Sequence, residues 1–197
     1  MKNLISTLIF GAIFLANSSF AQHHDHAGMD MDHSGRMKMD QATTSHEVDV
    51  AFQKQLGQVY QASLILKNSF IKSSSYQVIN AANEAENKLN EVNMHLLKGD
   101  AHMEWMKDLE VLESNLEAMK SAEDIAQQRK YFAAFNQGLY HSIKSYGINE
   151  GEVYYQYCPM ALDNQGAYWL SDIREIQNPY FGEKMLSCGS VKDVLEF

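Results

Sequence analysis

Four sulfur-bearing residues near the C-terminus have the spacing of a soft-metal site. Cys158 and Met160 stand two apart, Met185 and Cys188 three apart, and these are the only two cysteines of the chain. Thiolate and thioether are the donors that Cu(I) and Ag(I) prefer, whereas hard cations take oxygen. Cys-Pro-Met places two sulfurs at i and i+2 of an extended or turn backbone. Met-x-x-Cys on a helical turn places two more on one face. Two cysteines in an exported protein are also the ordinary material of a disulfide, and a Cys158–Cys188 bridge would staple this stretch. Both readings stand on the sequence, and oxidation would convert one state into the other with release of the metal.

A second cluster lies near the N-terminus. Over residues 22–46, His23, His24, His26, His33 and His46 alternate with Met29, Met31, Met37 and Met39. No apolar periodicity runs through them, so a disordered arm is expected rather than a packed element. His-rich tracts bind metal, and interspersed methionines turn the preference from zinc toward copper and silver. The bland alternative is a solubilising linker. The arm resembles the Met/His-rich tails of periplasmic copper-resistance proteins.

These clusters need a compartment and a scaffold. Residues 1–21 read as a secretory signal peptide. Lys2 gives the positive start, Leu4 to Ala16 the apolar core, and Ser19-Phe20-Ala21 the small-x-small cleavage site. The apolar core is too short to span a bilayer. A soluble periplasmic protein cut after Ala21 is therefore expected, with no membrane span. The formal charge of −9 becomes one unit more acidic once Lys2 is gone, and there is no basic stripe, so nucleic acid is a poor partner.

From Val48 the pattern turns helical for about a hundred residues. Val48, Phe52, Leu56, Val59, Ser63, Leu66 and Phe70 form one apolar stripe, and Ser73-Ser74-Ser75 breaks it with an N-cap. Val78, Ala82, Ala85, Leu89, Val92 and Leu96 form a second, ended by Gly99-Asp100, with Glu86 facing solvent. His102, Trp105, Leu109, Leu112, Leu116 and Met119 form a third. Ser121-x-x-Asp124 opens the fourth, carried by Ile125, Phe132, Phe135, Leu139, Ser142 and Tyr146. Four such helices on short turns predict an all-α fold, an antiparallel up-down four-helix bundle over 47–197. Its C-terminal cap, 154–189, is expected to be loop-rich and aromatic, followed by a last helical turn over 191–196.

His102 and His141 fall within the helical stretch. A lone helical histidine is more often a hydrogen-bonded boundary residue than a ligand. His102 gains as a metal candidate from Met103 and Met106 beside it, although Met94, Met103 and Met106 read most simply as core or boundary fillers. No enzyme is expected. The Glu-x-x-His pairs of di-iron bundles, a Cys-x-x-Cys redox motif and a Gly-x-Ser-x-Gly elbow are all missing from the sequence.

Cys158-Pro-Met-Ala161, Gly166-Ala-Tyr-Trp-Leu-Ser171, Glu175-Ile176, Asn178-Pro-Tyr-Phe-Gly182 and Met185-Leu-x-Cys188-Gly189 together resemble the signature of domain-of-unknown-function family 3347, over roughly Val48 to Glu196. The resemblance implies an exported protein in a copper/silver-efflux context, either free-standing or attached to a periplasmic adaptor. Carried over by position, the sulfur ligands would be Cys158, Met160, Met185 and Cys188. The expected function is a periplasmic Cu(I)/Ag(I) buffer or chaperone, with an efflux adaptor or copper chaperone as partner. The alternative is a disulfide-stapled module that docks on an adaptor and binds metal only through its arm.

Cleavage after Ala21 would leave Gln22-His23-His24 at the N-terminus. A free α-amine, two backbone nitrogens and the His24 imidazole would then close a square-planar set for Cu(II), so the arm would hold copper in both oxidation states. Protein whose N-terminal analysis shows a free Gln22 amine should give a visible d–d band with one equivalent of Cu(II). No band from such protein would refute the tip site.

Overall fold

The computed structural model describes residues 46–197. The expected signal peptide, and the arm ligands His23, His24, His26, Met29, Met31, His33, Met37 and Met39, lie outside the described residues. His46 lies within them and belongs to the bundle rather than to an arm. Its Nε2 is 2.8 Å from the Glu104 carboxylate, and its ring stacks on Tyr146 at 5.4 Å.

Four long helices account for more than half of the described residues: α1 (Val50–Ile71), α2 (Ser75–Asn90), α3 (Gly99–Ser121) and α4 (Ile125–Tyr146). The starts of α1, α2 and α4 each carry a side-chain cap. The Asp49 carboxylate accepts the Ala51 amide, the Ser74 hydroxyl accepts Gln77, and the Asp124 carboxylate accepts Gln127. Asp124 therefore caps α4 itself, without Ser121, whose hydroxyl turns back to Glu117. Three residues link α1 to α2 and three link α3 to α4, so each pair folds back as a hairpin.

The apolar stripes fall where the periodicity puts them. Phe52, Leu56, Val59, Leu66, Phe70, Val78, Ala82, Leu89, Trp105, Leu112, Leu116, Phe132, Phe135, Leu139 and Tyr146 are all buried. One end of the core is an edge-to-face cluster of Phe52, Trp105 and Tyr146, with the Tyr146 hydroxyl donating to the Ala101 carbonyl. At the other end Phe70 meets Phe132 at 4.5 Å, and Phe132 meets Tyr180 of the C-terminal segment.

Two boundaries differ from the sequence reading. The second helix stops at Asn90, and Val92 and Leu96 lie beyond it, around a short 3₁₀ turn at Met94–Leu96. The Asn93 side chain accepts the His95 amide and Gln55 accepts the Asn93 amide, an alternative to helix that apolar spacing does not reveal. Gly99, at φ 55°, opens α3 instead of ending α2.

The larger correction is to the all-α fold. The cap contains a three-stranded antiparallel sheet, β1 (Glu152–Cys158), β2 (Ala167–Ser171) and β3 (Ser190–Glu196), in the order β2-β1-β3. Residues 191–196, expected to be a helical turn, form β3. Their alternating half-buried pattern against β1 is that of an edge strand. The Leu170 amide is bonded by the buried Asn136 of α4. The Lys67 ammonium of α1, buried in the core, reaches Ser171 at 3.1 Å and Asp172 at 3.4 Å. Burial pushes the Lys67 ammonium below its usual range, and the Asp172 carboxylate partly offsets this. Tyr140 of α4 stacks face to face on Tyr155 at 3.8 Å, and Tyr155 on Tyr168 at 4.6 Å.

Leu89 and Leu112 are fully enclosed, so Ala at either should cost about 2–5 kcal/mol in denaturant unfolding through the cavity left behind. Glu86 is half-buried and paired with Lys120 of α3 at 2.8 Å rather than simply facing water. Its change to Ala should cost about 1 kcal/mol or less. A loss equal to that of Leu89→Ala would show that the helix faces are misassigned.

Candidate metal centre

Cys158 is the last residue of β1. Its side chain is fully buried, on the same strand face as Gln156 and Tyr154. Cys188 ends the long loop that leaves β2 and is half-exposed. The two sulfurs lie 2.7 Å apart, inside ordinary sulfur–sulfur contact, and both are free thiols. Sharing a hydrogen bond with Cys158, then burial, pushes the Cys188 thiol above its usual range. The Cys188 thiol thus holds its proton more tightly, and an ion bound as a thiolate must displace it.

Three local devices bring the thiols together. The first is Asn178, buried with no exposure. Its Nδ2 donates to the Cys188 carbonyl at 2.7 Å, while its Oδ1 accepts the Tyr180 and Phe181 amides. The Asn178 amide itself donates to the Leu186 carbonyl. One side chain thus closes the Asn-Pro-Tyr-Phe turn and fixes the loop end that carries Cys188. The second is Gly189, at φ 147°. A Cβ there would lie 2.8 Å from the Trp169 ring and 2.9 Å from the Tyr157 carbonyl, so only glycine lets the loop approach β1 this closely. The third is Gln156, whose Nε2 gathers the Ile173, Arg174 and Glu175 carbonyls beneath the loop.

The four sulfur ligands expected from sequence are not all assembled. Cys158 and Cys188 meet. Met185 lies one 3₁₀ turn before Cys188, with its carbonyl accepting the Cys188 amide, and is half-buried. Met160 is 45% exposed, at the entrance to a turn in which Leu162, Asp163 and Asn164 all have positive φ. That left-handed run turns the chain back into β2 within a few residues, a conformation costly for a leucine. The donor set suits a soft cation, but the spacing does not yet frame one. With metal–thiolate bonds of about 2.3 Å, two sulfurs sharing an ion sit about 3.8–4.6 Å apart, so the half-exposed Cys188 must swing outward to admit it. Among the described residues, no group of three or more His, Cys, Asp or Glu is placed to hold a metal.

The histidines have other engagements. His102 Nδ1 faces the Met94 carbonyl at 3.1 Å, and His141 Nδ1 faces the buried Asp108 carboxylate at 2.9 Å. His141 and Cys188 thus have separate partners and do not form a nucleophile–base pair. Sequence reading treated Asn178-Pro179 only as a turn and passed over His95. The signal for Asn178 was its place before proline at the head of a buried aromatic run.

Residues 59–151 match the model of a family described as a protein of unknown function (DUF3347). These residues belong to the DUF3347 family. The DUF3347 match covers most of α1, all of α2 to α4, and the turn into β1. It ends before Cys158, so the motif run 158–189 lies outside the matched residues. No curated protein and no solved structure matches the chain. Among the described residues no helix is long and apolar enough to cross a membrane.

Proposed function

We propose that this chain is an exported, periplasmic Cu(I)/Ag(I)-binding protein, a buffer or chaperone serving heavy-metal efflux rather than an enzyme. The observation that carries the reading is the Cys158–Cys188 pair. One thiol is anchored in the sheet, and the other is a half-exposed side chain at a loop end whose backbone is tied down, so only the side chain need turn to admit an ion. The arm, His23 to Met39, captures metal after cleavage at Ala21, and the thiol pair holds it more selectively. Met185 lies half-buried one turn from Cys188, and Met160 joins only if it turns in from solvent. The four helices act as an up-down antiparallel bundle that presents this cap, and an efflux adaptor or copper chaperone is the partner.

A second reading is favoured by the 2.7 Å separation itself, which is shorter than any shared ion allows. In it the thiols close to a disulfide that staples the loop. The chain is then an interaction module for an adaptor, and metal binds only to the arm.

Anaerobic Cu(I) competition against a chromogenic chelator separates the two. Under the first reading the Cys158→Ser/Cys188→Ser protein binds one ion fewer than the reduced parent. Met160→Leu or Met185→Leu weakens that ion less, because thiolates dominate the affinity. An unchanged Cu(I) count and affinity in the double-Ser protein would rule out the cap site and leave the arm as the metal binder.

A further inference from the structure

Two histidines and three methionines gather where the Met94–Leu96 turn meets the first two turns of α3. They have no part in the thiol pair. Met103 is 62% and Met106 40% exposed, so of the core or boundary roles read from the sequence the core one does not apply to either. His95 is exposed, and Met94 and His102 are half-buried. Long apolar thioethers held in solvent on a helix whose other face buries Trp105 and Leu112 have no packing reason to be methionine.

The orientation of His102 is the second observation. A carbonyl can only accept, so the Nδ1 facing Met94 carries the hydrogen, and in the neutral ring Nε2 keeps its lone pair. Among the described residues nothing hydrogen-bonds that Nε2. Metal-binding histidines are commonly fixed this way, one ring nitrogen donating to a backbone carbonyl while the other binds the ion. Met106 lies four residues on, on the same face of α3, and Met103 lies three before Met106. The nearby Glu104 carboxylate is taken by His46. With no cluster of three His, Cys, Asp or Glu among the described residues, hard cations and zinc have no cage here. Imidazole plus thioether is left, which selects a soft monovalent cation.

We propose that His102 Nε2 and the thioethers of Met103 and Met106, completed by Met94 or His95 from the preceding turn, form a soft-cation site for Ag(I) or Cu(I) on the bundle. It is independent of the cysteines. Its place in metal handling rests on the reading of the chain as a Cu(I)/Ag(I) binder, but its existence does not. It would give the protein a thiol-free station that still binds when Cys158 and Cys188 are oxidised.

The test is a titration of the full mature chain, labelled at its methionine methyls and histidine ring nitrogens, with Ag(I) followed by carbon–proton and nitrogen–proton NMR. The Met103 and Met106 methyls and the His102 Nε2 resonance should shift together, while the enclosed Met119 stays still. His102→Gln, at a half-exposed position that tolerates a polar side chain, should weaken the Met106 response by about tenfold or more. Met103→Leu/Met106→Leu should abolish the His102 shift. Methyl shifts that persist unchanged in His102→Gln would mean isolated surface methionines and overturn the site. So would stationary Met103 and Met106 methyls while those of Met29 to Met39 move, an outcome that leaves the proposed function standing. If Met103 and Met106 respond while the arm methyls stay still and Cys158→Ser/Cys188→Ser binds as many ions as the reduced parent, the site stands and the proposed roles of arm and thiol pair fail.

Discussion

One buried carboxamide sets the geometry of the cap. Asn178 uses both donor and acceptor atoms on main-chain groups, tying the Cys188 carbonyl to the start of the Tyr180–Phe181 turn. A buried amide left half-satisfied costs about 1–3 kcal/mol, so the loop has little freedom to take another path while Asn178 remains enclosed. Tyr180 then enters the core against Phe132 and Trp169, and its hydroxyl donates to the Tyr168 carbonyl of β2. The loop that carries the second thiol is thus joined both to the helices and to the sheet. Arg129 of α4 adds a further tie by reaching the Pro179 and Phe70 carbonyls.

The helical part of this fold was legible because its stripes are long and strictly spaced. Every position from Phe52 to Phe70 assigned to the first stripe is buried, and the same holds for Val78 to Leu89. What spacing could not supply was where side chains compete with the backbone. The second helix ends where Asn93 and Gln55 offer hydrogen bonds outside it. The sheet was missed for a different reason. Its strands are five to seven residues long. In β1 the face of Val153, Tyr155 and Tyr157 is apolar or aromatic, while the other mixes Tyr154 and Cys158 with Glu152 and Gln156, so no clean alternation marks the sequence. The sheet is also held by tyrosine stacks that include Tyr140 of a helix distant in sequence.

The candidate site was half legible. Two cysteines flanked by methionines named the thiol pair, and the fold brings that pair together across thirty residues. Sequence could not say that Met160 would remain in solvent, because that depends on the left-handed turn at Leu162–Asn164. Nor could it weigh Asn178, whose importance comes from three main-chain partners separated from it by up to ten residues. Met103 and Met106 of α3 were read as core or boundary fillers for a simpler reason. Thioethers fill cores so often that exposure alone reveals another use.

The central claim is that Cys158 and Cys188 act together on one soft ion. Mass-spectrometric alkylation of the reduced full chain tests it most directly, with and without Ag(I) added in a competing thioether buffer. The account predicts that both thiols are alkylated without metal, that both become protected together as one ion is retained, and that both return when a stronger chelator removes it. Two thiols that stay fully reactive in the presence of silver would contradict it. So would protection accompanied by loss of two hydrogens from the intact mass, the signature of a disulfide instead of a shared ion.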